Sequence, residues 1–230
     1  MPVDLEKLNP EQKAGAIHLE GPLLVLAGAG TGKTRVITYR VARLIETGVP
    51  PEKILAVTFT NKAAGEMRKR IEELVPGKGA LVWVYTFHSF GARFLRRHHE
   101  LLGLPRHFTI YDQSDQKKLV VEAMKTLGLE DQKNKAGLYV SLISRAKDDL
   151  LDAGSYEIHA MASIDQSRQT AAKIYQVYQR KLEQSGALDF GDLLMRVCQI
   201  LRDHPQTRQR WQDEFSHLLV DEYQDTNHAQ

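Results

Sequence analysis

Leu23-Leu24-Val25-Leu26-Ala27-Gly28-Ala29-Gly30-Thr31-Gly32-Lys33-Thr34-Arg35 reads as an apolar strand, placed at 22–27, that gives way to a glycine-rich loop ending in Gly-Lys-Thr. A loop with so many small residues can turn successive backbone N–H groups toward the oxygens of a polyphosphate. The helix expected over 33–47 adds the positive end of its dipole. In such a cradle the ammonium of Lys33 reaches the β- and γ-phosphates and the hydroxyl of Thr34 is offered to Mg²⁺. The usual pattern begins with Gly where this chain has Ala27, the next smallest side chain, so the departure reads as tolerated. A plain Gly-rich turn ending a strand is the bland alternative, and the strand before and helix after weigh against it.

A phosphate loop needs a metal partner, and His217-Leu218-Leu219-Val220-Asp221-Glu222-Tyr223-Gln224-Asp225 supplies one, an apolar strand over 217–221 running into two acids. Neighbouring residues leaving a strand point to opposite sides, so one acid can hold the metal while the next faces an attacking water. Asp221 is assigned to Mg²⁺ and Glu222 to the catalytic base. Alone, an apolar run followed by acids is a weak signal that also describes a solvated strand end. Together with residues 27–34 it becomes specific.

Composition bounds the remainder. A chain of 230 residues suits one large domain or two smaller ones, at about 150 residues per domain. Lys and Arg total 31 against 29 Asp and Glu, a net charge of +2, so any affinity for nucleic acid must come from local patches and not from a global field. The sole cysteine, Cys198, excludes an intrachain disulfide and a cysteine-cluster zinc site, and reads as a small core residue of a helix over 190–201. The first residues lack the apolar stretch of a secretory signal and no run is long enough for a membrane span, so a soluble, cytoplasmic chain without membrane partners is expected.

Two textures follow one another along the chain. Up to residue 90 strands expected at 22–27, 53–59 and 81–85 alternate with helices at 10–18, 33–47 and 61–75, the pattern of a parallel α/β sheet. From 91 to 186 only a short strand near Phe108-Thr109-Ile110-Tyr111 interrupts helical spacing. Ser114 is read as the N-cap of a helix over 115–127, with further helices over 135–150 and 163–184 and a mobile polar loop over 148–167. Ala171, Ile174, Tyr175, Tyr178 and Leu182 line one face of the last helix as a core stripe, and Gly186 ends it. The return of a strand at 217 makes the helical block an insertion into the α/β domain.

Four further segments join the two nucleotide motifs: Leu8-Asn9-Pro10-Glu11-Gln12, Ala56-Val57-Thr58-Phe59-Thr60-Asn61-Lys62-Ala63-Ala64, Tyr85-Thr86-Phe87-His88-Ser89-Phe90 and Leu188-Asp189-Phe190-Gly191-Asp192-Leu193-Leu194. In this order and spacing the set resembles the N-terminal part of the UvrD/PcrA/Rep helicases of superfamily 1, over essentially the whole chain. The resemblance implies a P-loop NTPase, a RecA-like parallel sheet formed by 1–90 and 187–230, with a mostly helical inserted subdomain over 91–186. It further implies ATP and Mg²⁺ as cofactors and single-stranded DNA and single/double-strand junctions as partners. The implied activity is 3′-to-5′ translocation and unwinding in DNA repair or replication. The second motor domain of such helicases is not in this sequence, so the isolated chain is expected not to unwind DNA. Protein partners stay unnamed.

The resemblance also assigns residues. Gln12 reads the adenine edge and Arg35 lies near the base, so that Gln12, Ala27, Gly28, Ala29, Gly30, Thr31, Gly32, Lys33, Thr34 and Arg35 together form the nucleotide site. Lys33, Glu222 and Gln224 are the catalytic set, Gln224 coupling hydrolysis to DNA. Phe59, Thr60, Asn61 and His88 are the DNA contacts, with Phe59 either a base-stacking ring or plain core. Lys62, Arg68, Lys69 and Arg70 on one helix, and Arg93, Arg96, Arg97 and His98 on the next, read either as phosphate contacts or as solvated faces. Asp189 is adequately explained as a helix N-cap. A small nucleotide kinase and a non-enzymatic interaction module are the competing readings. The long insertion counts against the first, and intact Lys33, Thr34, Asp221 and Glu222 against the second.

Overall fold

The computed structural model of the chain describes residues 3–28 and 30–230. In chain order its helices and strands are α1 (Pro10–Ile17), α2 (Lys33–Glu46), β1 (Ile54–Thr58), α3 (Asn61–Leu74), β2 (Trp83–Thr86), α4 (Phe87–Arg97), β3 (Thr109–Tyr111), α5 (Gln113–Thr126), α6 (Ala136–Asp148), α7 (Ala153–Met161), α8 (Gln166–Gln184), β4 (Ala187–Asp189), α9 (Phe190–Asp203), α10 (Pro205–Glu214) and β5 (His217–Val220). The architecture is mixed α/β, and the chain divides into two compact units. One comprises Met1–Phe87 and Gln206–Asp225, the other His88–Pro205 and Thr226–Gln230. Among the described residues no helix is long and apolar enough to cross a membrane.

The first unit is organised by a three-stranded sheet in the order β2-β1-β5, parallel throughout. Val57 of the central strand pairs with Tyr85 on one side and Val220 on the other. All five residues of β1 are buried, which is why its sequence shows no polar alternation. Val41 and Leu44 of α2 and Met67 and Ile71 of α3 share a core with Ile54, Ala56 and Val84. Each of the valine, leucine, isoleucine and methionine side chains contributes about 1.5–3 kcal/mol by leaving water. The helix starts are set locally: Asn9 and Gln12 form a capping box on α1, and the Thr60 hydroxyl accepts from the Ala63 N–H at 3.1 Å to open α3. The polar helix α10, which periodicity does not announce, is held by one buried residue, Trp211, edge-on to Trp83 at 6.2 Å.

The strand expected over 22–27 is not formed. Residues 22–28 have no regular secondary structure, and Leu23, Leu24, Val25 and Leu26 are all exposed, Leu26 to 85%. An apolar run makes a strand only when another strand lies alongside to complete the ladder, and no described strand does so here.

In the second unit α5, α6, α7 and α8 enclose a core containing the whole stripe Ala171, Ile174, Tyr175, Tyr178 and Leu182, while β3 pairs in parallel with β4. Three local expectations are corrected. The N-cap of α5 is Asp112, whose carboxylate accepts from the N–H groups of Ser114 and Asp115, and Ser114 lies inside the helix. Asp112 wins because it also forms the reciprocal box with Asp115. The helix read as beginning at 163 begins at Gln166, capped by Asp165. The stretch read as a mobile loop contains α7, capped by Asp152, which buries Tyr156 and Ala160 four residues apart in the same core. A helix this short takes its stability from such packing and not from propensity. Gly186 follows α8 with φ +59°, as its C′ position requires.

Gly91 of α4 meets α9 backbone to backbone: a Cβ there would fall 2.4 Å from the Leu193 carbonyl oxygen. Gly91→Ala is therefore expected to destabilise the second unit by about 1–3 kcal/mol, because a main-chain neighbour has to move. Urea denaturation checks this, and an unshifted midpoint would contradict the close approach.

Candidate nucleotide and DNA site

The loop before α2 is shaped by two glycines in the left-handed region, Gly30 at φ +76° and Gly32 at φ +92°. Gly32 is the N-cap residue of α2; its φ of +92° favours glycine, and a Cβ on it would lie 2.8 Å from the Gln12 amide nitrogen and displace that side chain. Gln12 is engaged at both ends. Its amide nitrogen donates to the Thr31 carbonyl at 2.9 Å and its oxygen accepts from the Asn9 N–H at 3.2 Å, tying α1 to the loop. The Thr31 hydroxyl donates to the Gly28 carbonyl at 2.7 Å, and Lys33 Nζ lies 3.1 Å from the Ala27 carbonyl oxygen. The exposed Arg35 stacks over Tyr39 at 5.8 Å. Ala29, assigned to the same loop, lies outside the described residues.

The acid couplet meets this loop. Asp221 extends the β5 ladder past its last strand residue, its N–H donating to the Val57 carbonyl at 2.9 Å, and its buried carboxylate accepts from the Thr34 hydroxyl at 3.0 Å. Glu222 then takes φ +52°, an unusual conformation for a residue with a side chain, costing about 1–3 kcal/mol. That turn, and not strand alternation, separates the two acids, since β5 ends at Val220. Lys33 Nζ lies 3.8 Å from Glu222 Oε2, and the Gln224 amide donates to the same oxygen. Loop lysine, loop threonine, both acids and Gln224 thus gather at the carboxyl end of the sheet, where open α/β sheets place ligands.

The DNA candidates divide between the two units. In the first, Phe59 is half-buried with its ring edge-on to Phe87 at 5.4 Å, Thr60 spends its hydroxyl on the α3 cap, and Asn61 is exposed at the first turn. The basic face of α3 is largely self-paired: Arg68 donates to the Val84 carbonyl, Lys69 lies 3.9 Å from Glu73 and Arg70 3.6 Å from Glu66. In the second unit, His88 packs its ring against Phe190 at 5.2 Å. Burial holds the His88 imidazole below its ordinary range and so neutral. Arg96 lies over the Phe108 ring at 5.6 Å.

Two residues escaped the sequence reading. Phe190 is 48% exposed at the first position of α9, beside a groove of about 830 Å³ that Ser144 and Arg145 also line. An aromatic directly after an N-capping aspartate was the available signal, because the first turn of a helix is seldom a place to bury one. Lys147 is wholly buried between Asp189 and Asp192. Nothing in its own segment marks it, because the carboxylates that keep it there lie more than forty residues away. Cys198, read as core, is only half-buried, with its thiol on the Ala229 carbonyl.

Residues 8–230 match the family described as UvrD/REP helicase N-terminal domain. The chain is 40% identical over 227 residues to the ATP-dependent DNA helicase PcrA of Staphylococcus aureus strain Mu50, and 41% identical over 227 residues to that of Staphylococcus epidermidis strain ATCC 12228. Each alignment covers 98% of this chain and 31% of the relative, so the chain spans about a third of the length of these proteins. By sequence match across nearly its whole length, the chain belongs to the UvrD/REP helicase family as its N-terminal domain.

Proposed function

We propose that this chain is the ATP-binding part of a DNA helicase motor, a P-loop, RecA-like sheet over 1–90 and 187–230 carrying a helical insertion over 91–186. The observation that carries the reading is the 3.0 Å hydrogen bond from Thr34 to Asp221, which brings the Gly-Lys-Thr loop and the acid couplet to one point. The PcrA relatives are named as ATP-dependent DNA helicases, which supplies the substrate class. The 3′-to-5′ direction and a setting in repair or replication rest on the family resemblance alone.

The residues fit a magnesium nucleotide. Thr34 and Asp221 offer two hard oxygen donors side by side, the type Mg²⁺ takes, and a glycine-rich loop opening a helix is the kind of backbone that cradles phosphate. Bound Mg²⁺ and triphosphate supply the anhydride bond and neutralise charge at the transferring phosphoryl group. Lys33 balances the charge of the terminal phosphates. Glu222 orients a water and takes its proton, and Gln224, bonded to that carboxylate, reports the change toward DNA. Gln12 and Arg35 hold the base. Phe59 and the ring pair His88–Phe190 offer faces on which nucleotide bases stack.

Glu222→Gln in the full-length protein is expected to leave ATP affinity nearly unchanged and lower turnover by about a hundredfold or more, the scale of a lost general base. Steady-state ATPase and nucleotide binding measured together test this, and surviving turnover would remove Glu222 from the role of base. A neutral His88 has a second consequence. Its pKa in the folded chain lies below the ordinary 6.5, so the unfolded state binds more protons and stability is lost as pH falls below that value. Tm is expected to drop between pH 7.5 and 5.5, and His88→Gln to reduce the drop. An undiminished drop in the variant would place the acid sensitivity elsewhere.

A further inference from the structure

Lys147, near the end of α6, has no solvent exposure, and its ammonium lies 2.6 Å from Asp189 Oδ2 and 2.9 Å from Asp192 Oδ1. The two aspartates already form a complete capping box on α9: the Asp192 N–H donates to Asp189 at 2.8 Å and the Asp189 N–H to Asp192 at 3.4 Å. The Tyr178 hydroxyl donates to Asp189 Oδ2 at 2.6 Å, Gln179 reaches Asp192 at 3.5 Å, and Arg196 stands 3.9 Å from Asp192. The lysine stem runs directly against the backbone of Gly191, where a Cβ would fall 2.8 Å from Lys147 Cδ.

A helix cap needs no buried lysine. Desolvating an ammonium and two carboxylates is unfavourable, and an apolar residue in the same space often serves stability as well or better. A charge held by fixed partners supplies direction, since both carboxylates and the glycine between them accept one placement of the α9 start. That start carries Phe190, the residue between Asp189 and Gly191, with its exposed ring against His88. The same lysine ties to it the helix α6, whose Ser144 and Arg145 line the groove beside Phe190.

We infer that Lys147 is a positioning residue for nucleic-acid binding: gripping Asp189 and Asp192, it holds the Phe190–His88 ring pair in the orientation that receives a base. This rests on the reading of that ring pair as a DNA-facing surface, and the test separates the two.

Binding of a fluorescent oligothymidylate to the full 230-residue chain is followed by anisotropy for Phe190→Ala, Lys147→Met and the double variant, with ATP affinity measured in parallel. Losing an oriented stacking ring is expected to weaken DNA binding by about fivefold to a hundredfold in either single variant. The double variant is expected to be no weaker than the worse single, because both changes remove the same contact. ATP affinity is expected to stay unchanged. Where melting shows that Lys147→Met does not fold, the charge-balanced pair Lys147→Met/Asp192→Asn takes its place and is read in the same way. Wild-type DNA affinity in Phe190→Ala would overturn the DNA-facing reading itself. Weakening by Phe190→Ala with none from loss of the lysine would overturn the positioning role alone, as would losses that multiply in the double variant.

Discussion

The hydrogen bond from the Thr34 hydroxyl to the Asp221 carboxylate spans 187 positions of chain, and much of the first unit has to be in place before it can form. Thr34 sits in the first turn of α2, whose start is set by Gly32 in a left-handed conformation that favours glycine. Asp221 sits where β5 ends, and β5 reaches that point through its parallel pairing with β1. Parallel neighbours cannot be joined by a hairpin; they need a crossover. Between β1 and β5 the chain forms β2 and then nearly all of the second unit. Because the entropy of closing a loop rises only slowly with its length, a folded insertion of this size is compatible with the pairing.

Charge is used differently in the two units. Around the loop, Lys33 and Glu222 stand 3.8 Å apart with the glutamate side chain 41% exposed, a pair that adds little to stability. The strained φ of Glu222 lies in the same place, and such strain persists only where surrounding structure holds it. In the second unit, Lys147, Asp189 and Asp192 are sealed from water. Burial opposes the ionisation of Asp189, yet the Lys147 charge and the hydrogen bonds from Lys147 and Tyr178 hold its carboxyl below the usual range. Burial and the neighbouring Asp189 push Asp192 upward. A cluster so balanced tolerates little displacement, which suits the base of an exposed ring better than a surface meant to adapt.

Local chemistry by itself makes much of this legible. The glycine-lysine-threonine turn, the acid couplet, the buried run of β1 and the stripe on α8 each depend on residues a few positions apart, where backbone geometry and periodicity act directly. The same local logic misled at 22–27, where an apolar run found no strand to pair with, and at 148–167, where a polar segment folded because Tyr156 and Ala160 met a core built by α8. It also placed one cap two residues too late, since Asp112 and Ser114 are both good caps and only the reciprocal bond from Asp115 separates them.

Residue types and short-range spacing were thus enough to specify most of the helices and the parallel character of the sheet, and to nominate residues for a nucleotide site. Long-range packing alone settled that Thr34 touches Asp221, that Glu222 turns through a left-handed conformation to meet Lys33 and Gln224, and that Lys147 lies buried between Asp189 and Asp192. The physical reason is the range of the forces. Caps, turns and helix faces are fixed by groups within one or two turns of chain, whereas a buried charge is tolerable only beside partners that folding brings from far along it.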